Sequence, residues 1–267
     1  MNSATIVLLS APGTDDPLEL RAGALVDPKT GCRYALRDGI PLFCESVTGQ
    51  NRKYQQMYDR IARGYDIGDL LGRFYVWLRR AKNPRVTLVA ELELPPSGRV
   101  LEVSVGTGLN LLQMPPTVEA FGLDLSWGML AKCRRNLAKW KRSAELFQGE
   151  GENLPFKGNS FDAVLHVGGI NFFNDKARAM REMVRVAKPG AKIVISDETE
   201  EAVKGVYEKN PLLKGYFNNR DQPVRCPINE VPPGMLEMRA TELLFAKLYC
   251  LSFRKPMRSA DRVTRFK

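Results

Sequence analysis

One histidine, His166, occurs in 267 residues, and that scarcity argues against the imidazole-rich transition-metal centres. The five cysteines, Cys32, Cys44, Cys133, Cys226 and Cys250, are scattered with no CxxC pair. An odd, unclustered set argues against a disulfide framework and against a four-ligand zinc site, so no metal is expected and a reducing, cytoplasmic compartment is. No apolar run approaches the ~18–20 residues that span a bilayer. The opening ATIVLLS is too short for a signal-peptide core and has no basic residue before it, so it is read as a first β-strand. Internal repeats and low-complexity tracts are absent, and no GK[ST] is present to complete a nucleotide-triphosphate loop.

What is present is ordinary for a globular chain, with 44% hydrophobic and 26% charged residues. The formal charge of +10 is uneven. Residues 1–50 hold 4 basic and 6 acidic side chains, 51–99 hold 10 and 5, and 201–267 hold 13 and 7. A basic excess on either side of a neutral centre can attract an anionic substrate, nucleic acid or an anionic membrane surface. LAKCRRNLAKWKR at 130–142 carries six of these charges and no acid, and a solvated outer helix face accounts for it most simply.

Residues 1–48 alternate short strand-like runs with Pro/Gly/Asp clusters, which predicts a small β-rich module. Residues 49–267 form the second unit. From Tyr54 to about Leu92 the segments YQQMYDRIARGYD, LLGRFYVWLRRAK and PRVTLVAELEL space apolar residues three and four apart, which predicts N-terminal helices over 51–92. Then RVLEVSV, EAFGLDL, AELFQGE, FDAVLHV and KIVISDE read as strands alternating with helical stretches, among them SWGMLAKCRRNLAKWK behind an N-capping Ser126. The pattern predicts an α/β fold, with a mostly parallel sheet and helices on both faces. MRATELLFAKLYCLSFRKP closes it as an antiparallel hairpin, and 201–233, rich in Asn, Pro and charge, stands outside it as an insert.

The chemistry concentrates in LEVSVGTGLN, residues 101–110. A strand ends in a glycine turn, which lets backbone approach a ligand and aims a helix N-terminus at an anionic group. A dinucleotide GxGxxG started at Ser104 fails at Ser104 and Leu109, and one started at Gly106 fails at Leu111. What fits is an acidic strand residue followed by a GxG turn: Glu102, Gly106 and Gly108, with Ser104 and Asn110 beside them. This resembles the first motif of class I S-adenosylmethionine (SAM)-dependent methyltransferases, and the resemblance runs on for a hundred residues. Asp124 and Leu125 in GLDLS stand where that family places a carboxylate on the ribose hydroxyls, and Met129 stands where a side chain packs on adenine. QGEGENLPF resembles the family's GDAENLPF, with Glu150, Gly151 and Glu152 at its adenine-contacting loop. The group most resembled is that of ubiquinone/menaquinone-biosynthesis C-methyltransferases and type 11 small-molecule methyltransferases, whose seven-stranded Rossmann-like sheet is implied. MYDRIARGYD resembles their helix-turn, which implies Tyr58 and Tyr65 over the cofactor.

Three departures stand out. Ser104 replaces the usual first glycine, Glu150 replaces the usual Asp, and Asn171 with Phe172 stand where quinone enzymes commonly show a His pair. The N-terminal module resembles a small zinc ribbon found on a tRNA-methyltransferase activator, but Ser10 and Asp27 occupy expected cysteine positions and leave only Cys32. It is read as a metal-free relic used for packing or recognition. His166, at the carboxyl end of the fourth strand, is the natural general-base candidate and otherwise lines the cofactor pocket; Asn171, Asp197 and Glu198 share that rim. The reading is an enzyme methylating O, N or C of a small or lipid-like acceptor. An rRNA or tRNA base methyltransferase and a catalytically idle SAM-binding subunit are the alternatives. The insert is expected to act as a mobile lid, with Lys214, Arg220 and Arg225 meeting an acidic group on a hydrophobic acceptor.

Overall fold

The computed structural model describes residues 3–44, 46–62, 64–65, 82–211, 213–218, 220 and 222–257. The first 48 residues hold a short helix α1 (Ser3–Leu8) and five strands of two or three residues: β1 (Glu19–Arg21), β2 (Ala24–Val26), β3 (Arg33–Tyr34), β4 (Leu36–Arg37) and β5 (Ile40–Pro41). ATIVLLS is therefore helical up to Leu8, against the expected strand. Thr5 and Leu9, four residues apart, turn inward while Val7 is 66% exposed, which is helical spacing. Only Leu9 and Ser10 make isolated bridges, to Phe156 and Pro17. Without a longer strand to pair with, the β-branched residues of the segment do not decide its conformation.

Helix α2 (Gly49–Ile61) follows, and α3 (Pro84–Glu91) starts with Pro at its first turn behind Asn83, whose side chain accepts from the Arg85 amide. The expected helix in LLGRFYVWLRRAK falls largely at 66–81, outside the described residues. The main sheet comprises β6 (Arg99–Val103), β7 (Glu119–Asp124), β8 (Glu145–Gln148), β9 (Phe161–Val167), β10 (Ala187–Glu198), β11 (Leu236–Leu243) and β12 (Leu248–Arg254). Its order is β11-β12-β10-β9-β6-β7-β8. β10, β9, β6, β7 and β8 run parallel, and β12 pairs antiparallel with both β10 and β11. This is the predicted seven-stranded Rossmann-like architecture with its reversed final hairpin.

Alternation along the strands sorts two cores. Val100, Ala163, Leu165 and Val194 face α3 and helix α4 (Trp127–Trp140), against Leu88, Leu130 and Leu137. Leu101, Val103, Val164 and Ile193 face the other way, toward helix α5 (Lys176–Val186) with Met180 and Met183. The same second core takes in Leu9, Leu18, Leu25 and Phe43. The N-terminal segment thus buries its apolar residues in one core with Phe147 of β8 and Phe156 of the loop after it. α4 is capped as the sequence indicated, the Ser126 hydroxyl accepting from the Met129 amide at 3.1 Å. The glycine turn after β6, by contrast, opens only a three-residue 3₁₀ turn (Leu111–Gln113) that Pro115 and Pro116 cut short. No helix dipole faces the turn, so the expected anion-binding helix N-terminus is not formed.

Candidate functional site

The carboxyl ends of the parallel strands converge on one cavity, which encloses about 1020 Å³ of open space including its mouth. Open α/β sheets place ligands at this rim. Ser104 and Gly106 follow β6; Asp124, Leu125, Ser126 and Met129 follow β7; Glu150, Gly151 and Glu152 follow β8; Gly168 and Gly169 follow β9. Helix α2 lies across them and adds Asn51, Tyr54, Gln55 and Tyr58, with Tyr65 just beyond it.

Asp124 is the centre of the first half. Its Oδ2 accepts from the Gly106 amide at 2.7 Å and its Oδ1 from the Ser126 amide at 2.8 Å. These bonds tie the end of β7 to the glycine turn and keep the carboxylate at the cavity wall. Burial pushes its pKa up to about 6 against the opposing pull of those amides. Gly106 has φ +54°, and a Cβ built there meets nothing within 4 Å, so the turn leaves a cradle open to a ligand. Gly108 serves a different end: a Cβ there would come within 2.7 Å of Cys133 Sγ, so its absence lets the turn pack on α4. Ser104, where the family has glycine, holds φ +61°, a left-handed conformation that costs a serine roughly 1 kcal/mol.

Several expected site residues stand behind this wall. Glu102 is fully buried on the α3/α4 face, where Asn110 Nδ2 donates to its Oε1 and Arg85 Nη1 donates to Asn110 Oδ1 at 2.7 Å. Burial raises its pKa to about 8. His166 is also fully buried, on the α5 face, edge-on to Phe173 with ring centroids 5.3 Å apart. Among the described residues neither ring nitrogen has a hydrogen-bond partner, although the Val103 backbone lies close enough to oppose weakly the burial that lowers its pKa to about 4. Asn171 is bound to Asp197 at 3.2 Å, to the Tyr249 hydroxyl at 3.0 Å and to the Arg225 amide at 3.1 Å. Glu102, Gly108, Asn110, His166 and Asn171 are thus not among the cavity-lining residues, which Tyr58, Tyr65, Ser104, Gly106, Asp124, Leu125, Met129, Glu150, Gly151 and Glu152 are.

Sequence reasoning missed how α2 is fastened over the site. Asn51 Nδ2 donates to Glu150 at 3.0 Å and to Glu152 at 3.1 Å, while its oxygen accepts from the Asn174 amide. Gln55 donates to the Leu125 carbonyl at 3.0 Å. Asp59 accepts from the Ser126 hydroxyl and from the Gly128 amide at 2.8 Å, which adds a negative charge to the start of α4. Amphipathic spacing signals such a helix, but not which polar residues reach across it.

Away from the glycine turn the cavity becomes aromatic. Tyr54 stacks on Phe172 at 4.3 Å and meets Phe217 at 5.7 Å, and Phe217 stacks on Tyr207 at 4.9 Å. Tyr58 and Tyr65 meet at 6.5 Å. Glu198 lines this end and accepts from the Tyr207 hydroxyl at 2.7 Å. The expectation of basic groups here is overturned: no Lys, Arg or His among the described residues lines the cavity. Lys214 and Arg225 are exposed, and Arg220 is drawn into ion pairs with Glu200 at 3.1 Å and Glu208 at 2.7 Å. Within the basic helix, Arg134 pairs with Asp38 at 3.2 Å.

Residues 101–195 match the family model of a methyltransferase domain. The chain is 32% identical over 170 residues to a demethylmenaquinone methyltransferase from Desulfitobacterium hafniense, covering 61% of this chain and 64% of that one. It is 32% identical over 163 residues to a ubiquinone/menaquinone biosynthesis C-methyltransferase from Geotalea daltonii, covering 56% and 64%. The chain therefore spans less than two thirds of the length of these curated relatives. A crystal structure from Thermotoga maritima, titled a SAM-dependent methyltransferase and possible histamine N-methyltransferase, superposes with a TM-score of 0.58 at 25% identity, over 75% of this chain and 99% of that one.

Proposed function

This chain carries a class I SAM-dependent methyltransferase domain, and from that premise we propose that it transfers the methyl group of SAM to a small, mainly apolar acceptor. The observation that carries the proposal is one continuous cavity with two chemistries. An open glycine cradle beside a carboxylate lies at one end, and a wall of aromatic rings at the other.

The first end fits SAM. The space over Gly106, where a Cβ would meet nothing, admits the cofactor backbone, and Asp124 is placed to accept from ribose hydroxyls. Met129 and Leu125 offer apolar contact for adenine beside the Glu150–Gly151–Glu152 loop, and Tyr58 of α2 and Tyr65 beyond it close over the cofactor. When bound, SAM supplies an electrophilic methyl group, so the chain itself mainly binds, orients and excludes water. Glu102, Gly108 and Asn110 act as positioning residues that brace the turn from behind. His166, buried and held neutral, and Asn171, saturated by Asp197 and Tyr249, shape the rim.

In this reading residues 49–267 form the methyltransferase unit, and 201–233 cap it through Leu213 and Phe217. Among the described residues no helix is long and apolar enough to cross a membrane. The five free, scattered cysteines support a cytoplasmic place for the chain. The relatives named for quinone synthesis support a lipid-like acceptor. Labelled SAM offered with cell extract split into RNA, lipid and small-metabolite fractions tests the proposal. Label entering the lipid or metabolite fraction is expected, and label confined to RNA would contradict it.

A further inference from the structure

The acceptor end of the cavity carries a charge that an uncharged apolar acceptor does not need. Glu198 is the last residue of β10, half-buried at the cavity wall, with the Tyr207 hydroxyl on its Oε1 at 2.7 Å. Its neighbour Asp197 is fully enclosed and accepts from the Gly169 amide at 3.0 Å. Burial, and then Glu198 beside it, raise the Asp197 pKa, and its oxygens are taken up by the Gly169 and Glu198 amides and the Asn171 side chain, so Asp197 is turned away from the cavity. Tyr58, Tyr65 and Tyr207 line the same cavity as Glu198, and the Tyr207 phenol is pushed up first by the Glu198 charge, then by burial, and further by Tyr65 and Tyr58.

Three kinds of acceptor can be compared against this wall. An acid would meet Glu198, and no Lys or Arg among the described cavity residues offsets that carboxylate. A neutral apolar acceptor would strip water from the carboxylate and leave it, among the described residues, the Tyr207 hydroxyl alone. A protonated amine would pair with the carboxylate and gain attraction from the aromatic faces. We propose that the acceptor is an amine on an apolar body, its ammonium held by Glu198 among the rings of Tyr58, Tyr65 and Tyr207, and its body against Phe172 and Phe217. The inference rests on the reading of the cavity as a methyl-acceptor site. It also gives Glu198 a chemical task. The nitrogen must lose a proton before it can act as a nucleophile: an N–H bond breaks, its electron pair stays on nitrogen, and the proton joins the Glu198 carboxylate.

Calorimetry on the full chain separates the two levels. S-adenosylhomocysteine is titrated first, and its binding tests the cofactor site alone. The loaded protein is then titrated with phenethylamine, 2-phenylethanol and phenylacetate, which share one ring and differ in charge. The amine is expected to bind about tenfold or more tighter than the alcohol, with the acid weakest. Glu198→Gln should bring the amine to within about threefold of the alcohol while leaving S-adenosylhomocysteine affinity unchanged. An alcohol or acid that matches the amine, an amine that fails to bind the loaded protein, or a preference that survives Glu198→Gln overturns the inference and leaves the cofactor site standing. Failure of S-adenosylhomocysteine itself to bind removes both.

Discussion

Glu102 shows how much a single buried group can couple the site to solution conditions. Among the described residues only Asn110 meets its Oε1 and none meets its Oε2, so the folded chain favours the protonated acid, with a pKa raised from 4.5 to about 8 by burial. Between these values the folded state holds a proton that the unfolded state has released. The contribution to stability is therefore complete below about pH 4.5 and drains away as pH rises toward 8. Glu102→Gln keeps the acceptor for Asn110 and cannot ionise. Urea unfolding across this range should show a flatter stability–pH profile for the variant, by up to about 1.4 kcal/mol per pH unit, and greater stability near pH 8. Parallel profiles for the two proteins would show that Glu102 does not titrate there. The sequence identified Glu102 and Asn110 by motif and spacing. It could not show that alternation along β6 turns Glu102 toward α3, or that Asn110 spends itself on that carboxylate. His166 is the same lesson in reverse: its place at a strand end was legible, while its orientation toward Phe173 depended on which face of β9 it occupies.

At the scale of elements, α2 is the piece that makes an open sheet rim into an enclosed site. Its apolar face supplies Tyr54 and Met57 to the aromatic cluster, and its polar residues are bonded to the rim, Asn51 to the segment after β8 and Gln55 and Asp59 to the segment after β7. Asp59 reaches the first turn of the fourteen-residue α4, where its charge and two hydrogen bonds satisfy groups left open at a helix start. Asp59→Ala should lower unfolding stability by about 1–2 kcal/mol, with Asp59→Asn recovering part of it, as read from denaturant midpoints. Unchanged midpoints would mean that α2 is held by its apolar face alone. The periodicity of α2 and the cap of α4 were both readable from sequence. Their contact was not, because it joins residues nearly seventy apart. ATIVLLS was misread because its three β-branched residues, Thr5, Ile6 and Val7, say little until a partner strand is available.

For the whole molecule, the mostly parallel sheet and the final reversed hairpin followed from the alternation of apolar runs, and the seven-stranded architecture from the family resemblance. The order of the strands was not read from the sequence, and neither was the placement of the first 48 residues. Short strands punctuated by turns look like a separate module, yet Leu9, Leu18, Leu25 and Phe43 lie in the same core as Met180 and Phe253. At the two positions where a zinc ribbon would have ligands, the side chains are committed elsewhere. The Ser10 hydroxyl donates to the Thr14 carbonyl at 2.8 Å, and Asp27 accepts from the Lys29 amide at 2.9 Å and from the Thr30 hydroxyl. Elemental analysis of the purified chain should find no stoichiometric zinc, and one zinc per chain would overturn that account of the module.

The central claim is that the cradle beside Asp124 holds SAM, and one titration tests it. Calorimetry of the intact chain with SAM should give a single site per chain. Asp124→Ala should weaken that site by roughly tenfold to a hundredfold, the equivalent of one or two charge-assisted hydrogen bonds lost. No binding to the intact chain, or an affinity that the Asp124 variant leaves untouched, would contradict the account.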